Sequence, residues 1–362
     1  MKALVWQDVD KIELVEKPVP EIVEDSDAIV KVTFSSICTS DLHIIKGFVP
    51  NAQKGVVLGH EFVGEVVRVG SNVKTLQIGD RVSANCETFC GECYFCKRGY
   101  INNCEVGGWH LGCSIDGCQA EYVRVPFADN GLKVLPKNVS YESALFVGDI
   151  LSSGYFGAEL CEIKQGDTVA IIGAGPVGLC ATQCARYLGA AKIVLFDVNE
   201  SRLKKAKEHS FADVFVNPNK EDCISIINKH TFGRGADAVI ECAGTDKSFE
   251  LAWQIARPNS VVALVAMYEN AQNLPLPKMY GKNLVFKTGG VNAIHCEKLL
   301  DLISQKVLNT DFLISKKVEF KDIINAYNDF EKDKNSIFKI CVKHWCFSTS
   351  FICILSFIKR FF

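Results

Sequence analysis

Hydrophobic and polar positions follow two different textures along the chain. In the first ~150 residues, short β-rich runs such as Ala28–Phe34 (AIVKVTF) and Gly64–Val69 (GEVVRV) are broken by turn signals at Gly70–Asn72 and Gly79–Asp80. That texture predicts a compact β-rich unit over residues 1–149. Beyond it, apolar runs alternate with helical periods. Thr168–Ile172, Ile193–Phe196, Val214–Val216, Ala238–Ile240, Val261–Val265 and Leu284–Phe286 read as six strands, with amphipathic stretches such as Val177–Leu188 and Ser201–His209 between them. Strands apolar on both faces, alternating with helices, predict an α/β fold with a doubly wound parallel sheet over residues 150–289. Residues 290–343 return to a mixed texture and are expected to fold back onto the first unit. The last segment, 344–362, is an apolar extension of unknown order. Its uncharged core, Trp345–Ile358, is shorter than the roughly 20 apolar residues of a membrane span.

A length of 362 residues fits more than one core. The net charge of −2 offers no field for nucleic acid or an anionic membrane, so neither is an expected partner. Charged residues at 23% and hydrophobic residues at 48% exclude bulk disorder. Cysteine stands out, with 17 residues. The opening segment MKALVWQDVDKIELVEK lacks an apolar signal region. The thiols are therefore expected to be reduced, in a cytoplasmic protein, with some holding metal. Cys161, Cys180, Cys184, Cys223, Cys242, Cys296 and Cys341 read as small apolar fillers.

Gly173-Ala174-Gly175-Pro176-Val177-Gly178 follows the Thr168–Ile172 run and opens a helical stretch. Glycines at these positions let the turn close, let backbone approach a pyrophosphate and let helix pack on strand. The helix N-terminus then presents N–H groups and its positive dipole end to phosphate, and Pro176 suits a first helical turn. Asp197 ends the next strand, 19 residues after Gly178. A carboxylate there would accept from the ribose hydroxyls of NAD and repel the extra phosphate of NADP.

Cys90, Cys93, Cys96 and Cys104 are spaced x2, x2 and x7. Four thiolates in one short loop predict a closed, structural zinc site. Lys97 and Arg98 could offset its negative charge, and Cys86 could replace one ligand. A nucleic-acid zinc module is disfavoured by the near-neutral charge and the single Lys97-Arg98 pair. A second set is scattered: Cys38 in Cys38-Thr-Ser-Asp-Leu-His43, His60 in Gly59-His60-Glu61, and Asp149 in Gly148-Asp149-Ile150. Singly these read as a core thiol, a loop histidine and a helix cap. As an ordered set they suggest a three-ligand zinc with one open position, the catalytic type.

CTSDLH, the GHEFVGEVVRVGSNVKTLQIGDRV block, the Cys90–Cys104 loop, GDILSSGYFGAE and GAGPVGL together resemble the zinc-dependent medium-chain alcohol dehydrogenases, over roughly residues 1–343. The resemblance implies a GroES-like catalytic domain and a Rossmann-type cofactor domain. It implies that Cys38, His60 and Asp149 bind catalytic zinc, that Glu61 lies beside the metal and that Asp41 orients His60. Aspartate at 149, where many members carry cysteine, is similar to the secondary-alcohol and formaldehyde branches. Thr39 stands where many members place a cation for the pyrophosphate, and Lys339 could take that role. Trp109 resembles a pocket-lining tryptophan of the secondary-alcohol branch.

The implied activity is reversible hydride transfer between a small, secondary alcohol/ketone pair and NAD. Formaldehyde, polyol or butanediol, and threonine are alternative substrates on the same scaffold. Zinc would lower the pKa of the alcohol hydroxyl, and Ser40 would pass its proton through the cofactor ribose to His43. Family members are dimers or tetramers, so a homodimer or homotetramer is expected.

Overall fold

The computed structural model describes residues 1–333 and 336–344. The apolar stretch Trp345–Ile358 lies outside the described residues. Strands β1 (Lys2–Asp8) and β2 (Lys11–Glu16) pair as a hairpin. β3 (Ala28–Ser36), β4 (Phe62–Val69), β5 (Arg81–Ala84), β6 (Tyr122–Val125) and β7 (Leu132–Val134) build an antiparallel sheet whose inward side chains are Ala, Val, Leu and Phe. The two runs Ala28–Phe34 and Gly64–Val69 are its central pair, registered Ala28 opposite Val69.

The middle of the chain forms a six-stranded, fully parallel sheet from β8 (Thr168–Ile172), β9 (Lys192–Phe196), β10 (Val214–Val216), β11 (Ala236–Glu241), β12 (Ala256–Leu264) and β13 (Val285–Thr288), in the order β10-β9-β8-β11-β12-β13. The order reverses between β8 and β11, the topological switch point where such sheets bind ligands beyond their strand ends. β8 is buried along its whole length, as its run of Thr-Val-Ala-Ile-Ile requires. The final strand begins at Val285 instead of Leu284, and β12 starts earlier than its apolar run, at Ala256.

Two further strands, β14 (Ile314–Glu319) and β15 (Lys339–Lys343), return to the first sheet, where Cys341 and Val342 pair with Ser36 and Ser35 of β3. The return brings the helix Ile323–Lys332 against the same core as Leu4, Trp6, Ile37 and Ile44. The α/β architecture is the expected one: a β-rich sheet and a doubly wound parallel sheet, with a continuous core of Leu145, Leu151, Ala181, Ile240 and Leu299 between them. No disulfide joins the described cysteines. The seven read as fillers are buried, except Cys242, which is half-buried on the wall of a cleft. Among the described residues no helix is long and apolar enough to cross a membrane.

Candidate metal centres and cofactor cleft

Cys38 is the N-cap of the short helix Thr39–Ile45, and Asp41 is the third residue of that helix. Asp41 accepts the Cys38 backbone N–H through Oδ2 at 2.9 Å, the return half of a capping box. Its other oxygen stands 3.5 Å from Nδ1 of His60. One fully buried carboxylate thus fixes the backbone of one candidate ligand and stands against the ring of another.

His60 follows Gly59, whose φ of +95° and packing against Gln119 leave no room for a side chain: a Cβ would lie 2.6 Å from Gln119 Cγ. Asp149 sits in a π-helical turn, Val147–Leu151. Gly148 lets that turn press on β5, since a Cβ there would stand 1.7 Å from the Ala84 carbonyl oxygen. A π-turn re-aims one side chain within a helical path, and such turns recur at functional sites.

Three distant segments therefore converge. Ligand atoms of Cys38, His60 and Asp149 all lie within 4.8 Å of one another. Asp149 Oδ2 is 3.5 Å from Cys38 Sγ and 3.3 Å from His60 Nε2, and Ser40 Oγ is 3.3 Å from the same nitrogen. Burial disfavours charge on Asp149, but the His60 hydrogen bond and charge outweigh it and hold the carboxyl below its ordinary range. Burial likewise opposes a charged His60, yet Asp149, Asp41 and Cys38 raise it well above an ordinary imidazole. A buried sulfur, imidazole and carboxylate in one knot is the donor chemistry of a three-ligand zinc, and a neutral imidazole with two anionic ligands matches Zn²⁺ in charge.

Glu61 and Lys339 stand beside this knot. Lys339 Nζ pairs with Glu61 Oε2 and donates to the Ile37 carbonyl at 3.2 Å. The charge of Lys339, expected at the pyrophosphate, is thus committed next to the metal ligands, although the residue does line the cleft. Burial works against that ammonium, but Cys38, Glu61 and Asp149 hold it above the usual lysine range. Burial pushes the Glu61 carboxyl up, and its Oε1 has no partner among the described residues. Trp109 packs edge-on against His60, with ring centroids 5.6 Å apart. His43 lies three residues after Ser40 on the same helix, half-buried, with its ring edge toward Phe48.

Cys90, Cys93, Cys96 and Cys104 bring their sulfurs within 4.8 Å of one another. Backbone N–H groups of Glu92 and Cys93 donate to Cys90 Sγ at 3.4 Å, and that of Cys96 to Cys93 Sγ at 3.5 Å. Donation from the Cys96 and Glu105 backbone pulls the Cys93 thiol down to about 6. Cys86 is not part of this cluster. It sits in the main core, with its N–H on the Gly148 carbonyl at 3.2 Å. Arg98 lies over the Tyr94 ring at 3.7 Å.

At the carboxyl end of β8, Gly173 has φ +103° and donates to the Phe196 carbonyl at 2.7 Å. The helix Pro176–Leu188 starts immediately after, with Gly175 as N-cap and Pro176 in its first turn. A Cβ on Gly178 would lie 1.8 Å from the Gly173 carbonyl, so only glycine closes the turn. Asp197 spans it from the next strand: Oδ2 accepts from Ala174 N–H at 2.6 Å and Oδ1 from Asn199 N–H at 2.7 Å. Gly173, Gly175, Pro176, Val177 and Asp197 line a cleft of about 1370 Å³ whose wall also includes Cys38, Thr39 and Lys339. The phosphate cradle and the thiol of the metal knot thus open onto the same space. Sequence reading passed over Glu87. Burial pushes this acid up to about 8, with the Asp149 charge adding to the shift and the His60 charge opposing it.

Fold and site together define a zinc-dependent oxidoreductase that uses a dinucleotide. Residues 24–137 match the alcohol dehydrogenase GroES-like domain, and residues 176–305 match the zinc-binding dehydrogenase domain. The chain is 35% identical to an alcohol dehydrogenase of Cupriavidus necator, over 95% of this chain and 98% of that protein. It is 32% identical to an NADP-dependent isopropanol dehydrogenase of Thermoanaerobacter brockii, over 92% and 97%. The structure is similar to alcohol dehydrogenase TADH from Thermus sp. ATN1, with a TM-score of 0.88, 34% identity and coverage of 95% and 100%. The chain belongs to the zinc-dependent medium-chain alcohol dehydrogenases. It is an oxidoreductase acting on CH–OH groups of small molecules, with zinc and a nicotinamide cofactor.

Proposed function

We propose that this enzyme interconverts a small secondary alcohol and its ketone with NAD, using a metal held by Cys38, His60 and Asp149. The convergence of those three side chains within 4.8 Å, with Cys38 on the wall of the cleft that holds the glycine turn, carries the reading. Zinc there supplies Lewis-acid polarisation of the alcohol oxygen, and the nicotinamide accepts or returns the hydride. Cys90, Cys93, Cys96 and Cys104 hold a second, structural zinc.

The chain's own residues do the rest. Asp41 holds the His60 ring so that Nε2 faces Cys38 and Asp149. Ser40 Oγ, in reach of that nitrogen, takes the alcohol proton because a hydroxyl both accepts and donates. His43, at the half-buried end of the same helix, is the exit to water. Gly173, Gly175 and Gly178 bring backbone against the pyrophosphate while Pro176 and Val177 begin the helix that faces it. Asp197 accepts from the adenosine ribose, which supports NAD over NADP. The Glu61–Lys339 pair is a reserve of charge beside the metal, and Trp109 walls the substrate pocket.

The test is metal content per subunit together with NAD-linked oxidation of 2-propanol, ethanol, 2,3-butanediol, threonine and formaldehyde. Two zincs and turnover of secondary alcohols support the reading. One zinc or none, or turnover of ethanol and formaldehyde alone, contradicts it.

A further inference from the structure

Glu241 ends β11 directly beside the switch point, in register with Ile172 of β8 and Leu264 of β12. Its side chain is fully buried. Oε1 accepts the backbone N–H groups of Ala243 at 2.7 Å and Gly244 at 2.9 Å, and Oε2 accepts the Tyr268 hydroxyl at 2.5 Å. Its carbonyl receives the Val265 N–H at 2.9 Å. One residue thus ties the turn after β11 to the loop after β12. The two meet closely, since a Cβ on Gly244 would stand 2.6 Å from the Met267 carbonyl oxygen. Cys242, Ala243 and Gly244 line the cofactor cleft, so the carboxyl is bonded to the cleft wall from its buried side.

All three side-chain partners are neutral donors. A carboxylate only accepts, and three donors suit it, yet a charge buried without a countercharge costs stability. Glutamine has the same shape without that cost. The fold therefore keeps a negative charge where its own packing does not require one. The position says what the charge acts on. A doubly wound sheet binds its dinucleotide across the switch point, with one mononucleotide on each side. Asp197 and Asn219 line the cleft on the β9–β10 side, and Cys242 and Ser248 line it on the β11–β12 side. With adenosine at Asp197, the nicotinamide mononucleotide falls on the side of Glu241. Its phosphates are common to both oxidation states, whereas only the oxidised ring is a cation.

We propose that Glu241 tunes the oxidation state of the bound cofactor: its buried carboxylate favours the cationic, oxidised nicotinamide over the neutral, reduced one. The inference rests on the nicotinamide cofactor, not on the choice of substrate or of NAD over NADP. In a low-dielectric interior a charge acts over several ångströms with little screening. Glu241 thereby holds the form that accepts hydride and eases release of the form that has received it. It is a positioning charge behind the wall, not a group that touches the reacting atoms.

The test is the ratio of Kd for NADH to Kd for NAD, from NADH fluorescence titration and its displacement by NAD, on the zinc-loaded wild type, Glu241→Gln and Glu241→Asp. Glu241→Gln is expected to lower the ratio about three- to tenfold, chiefly by weakening the oxidised form. Glu241→Asp keeps the charge while disturbing the hydrogen bonds, so its ratio should stay within about twofold of wild type. Where Glu241→Gln does not fold, the wild type decides. A buried charge is little screened, so the ratio should hold between low and high salt, whereas the exposed Asp246 and Glu269, which also line the cleft, lose their influence in salt. An unchanged ratio in folded Glu241→Gln, an equal fall in Glu241→Asp, or a wild-type ratio that shifts more than about twofold with salt overturns the proposal and leaves the dehydrogenase reading intact. Failure of the wild type to bind either form, NADP and NADPH included, overturns the reading beneath it as well.

Discussion

Asp41 and His60 are 3.5 Å apart, carboxylate oxygen to Nδ1, in a contact from which solvent is excluded. The same Asp41 caps the helix begun by Cys38, so it couples two of the three candidate zinc ligands. Asp41→Ala should weaken catalytic zinc binding about 10- to 100-fold. Metal retention after dialysis against a graded chelator measures it. Retention equal to wild type would show that His60 needs no such anchor.

The four-cysteine loop has a separable role. Cys96→Ser should remove one zinc per subunit and lower the melting temperature, because structural zinc couples directly to folding. NADH should still bind, since none of these cysteines lines the cleft. Elemental analysis, calorimetry and NADH fluorescence together decide the matter, and full metal content in the variant counts against the site.

Asp197 bonds to Ala174 and Asn199 on the cleft wall. Asp197→Gly should reduce the NAD-to-NADP ratio of kcat/KM about tenfold or more, by removing both an acceptor for ribose and a charge that repels phosphate. A ratio that does not move would assign the residue to turn geometry alone.

Gly148 is a steric requirement, not a flexible joint. Gly148→Ala drives a methyl into the Ala84 carbonyl. The π-turn must shift, at about 1–3 kcal/mol of stability or more, and Asp149 shifts with it. A lowered melting temperature with lost catalytic metal is expected; an unaltered melting curve would contradict the close approach.

His344 gives a pH dependence. It is buried, stacked on Phe320 and bonded to Ser35 Oγ at 2.8 Å, and burial lowers its pKa from 6.5 to about 3. Below about 6.5 the unfolded chain binds a proton that the folded chain refuses. The stabilisation is complete above 6.5 and is lost progressively as pH falls from 6.5 toward 3, on the order of a few kcal/mol. Denaturant melts of wild type and His344→Phe across that window check it, with the variant expected to show the shallower slope.

Much of the molecule was legible in the sequence, for local reasons. The spacing of Cys90 to Cys104 and of Gly173 to Gly178 encodes turns whose geometry is decided within a few residues. The apolar runs of the parallel sheet are equally explicit. Asp149 was less so: its meaning depends on a π-turn pressed against β5, which no local pattern announces, and the resemblance pointed to it. Lys339 was expected over the pyrophosphate, whereas its ammonium is paired with Glu61 and donates to the Ile37 carbonyl, just before the helix Thr39–Ile45. Cys86 looked like a spare ligand but lies buried in the main core, outside the four-cysteine cluster. Glu87 gave no signal, as one of 42 acidic residues; only its burial and missing partner single it out.

The central claim is that Cys38, His60 and Asp149 hold a reactive metal distinct from the one in the cysteine loop. Zinc per subunit in wild type and in Asp149→Ala, measured beside NAD-linked alcohol oxidation on the same samples, tests it most directly. The account predicts a fall from two zincs to one with activity lost. Two zincs and undiminished turnover in the variant would contradict it.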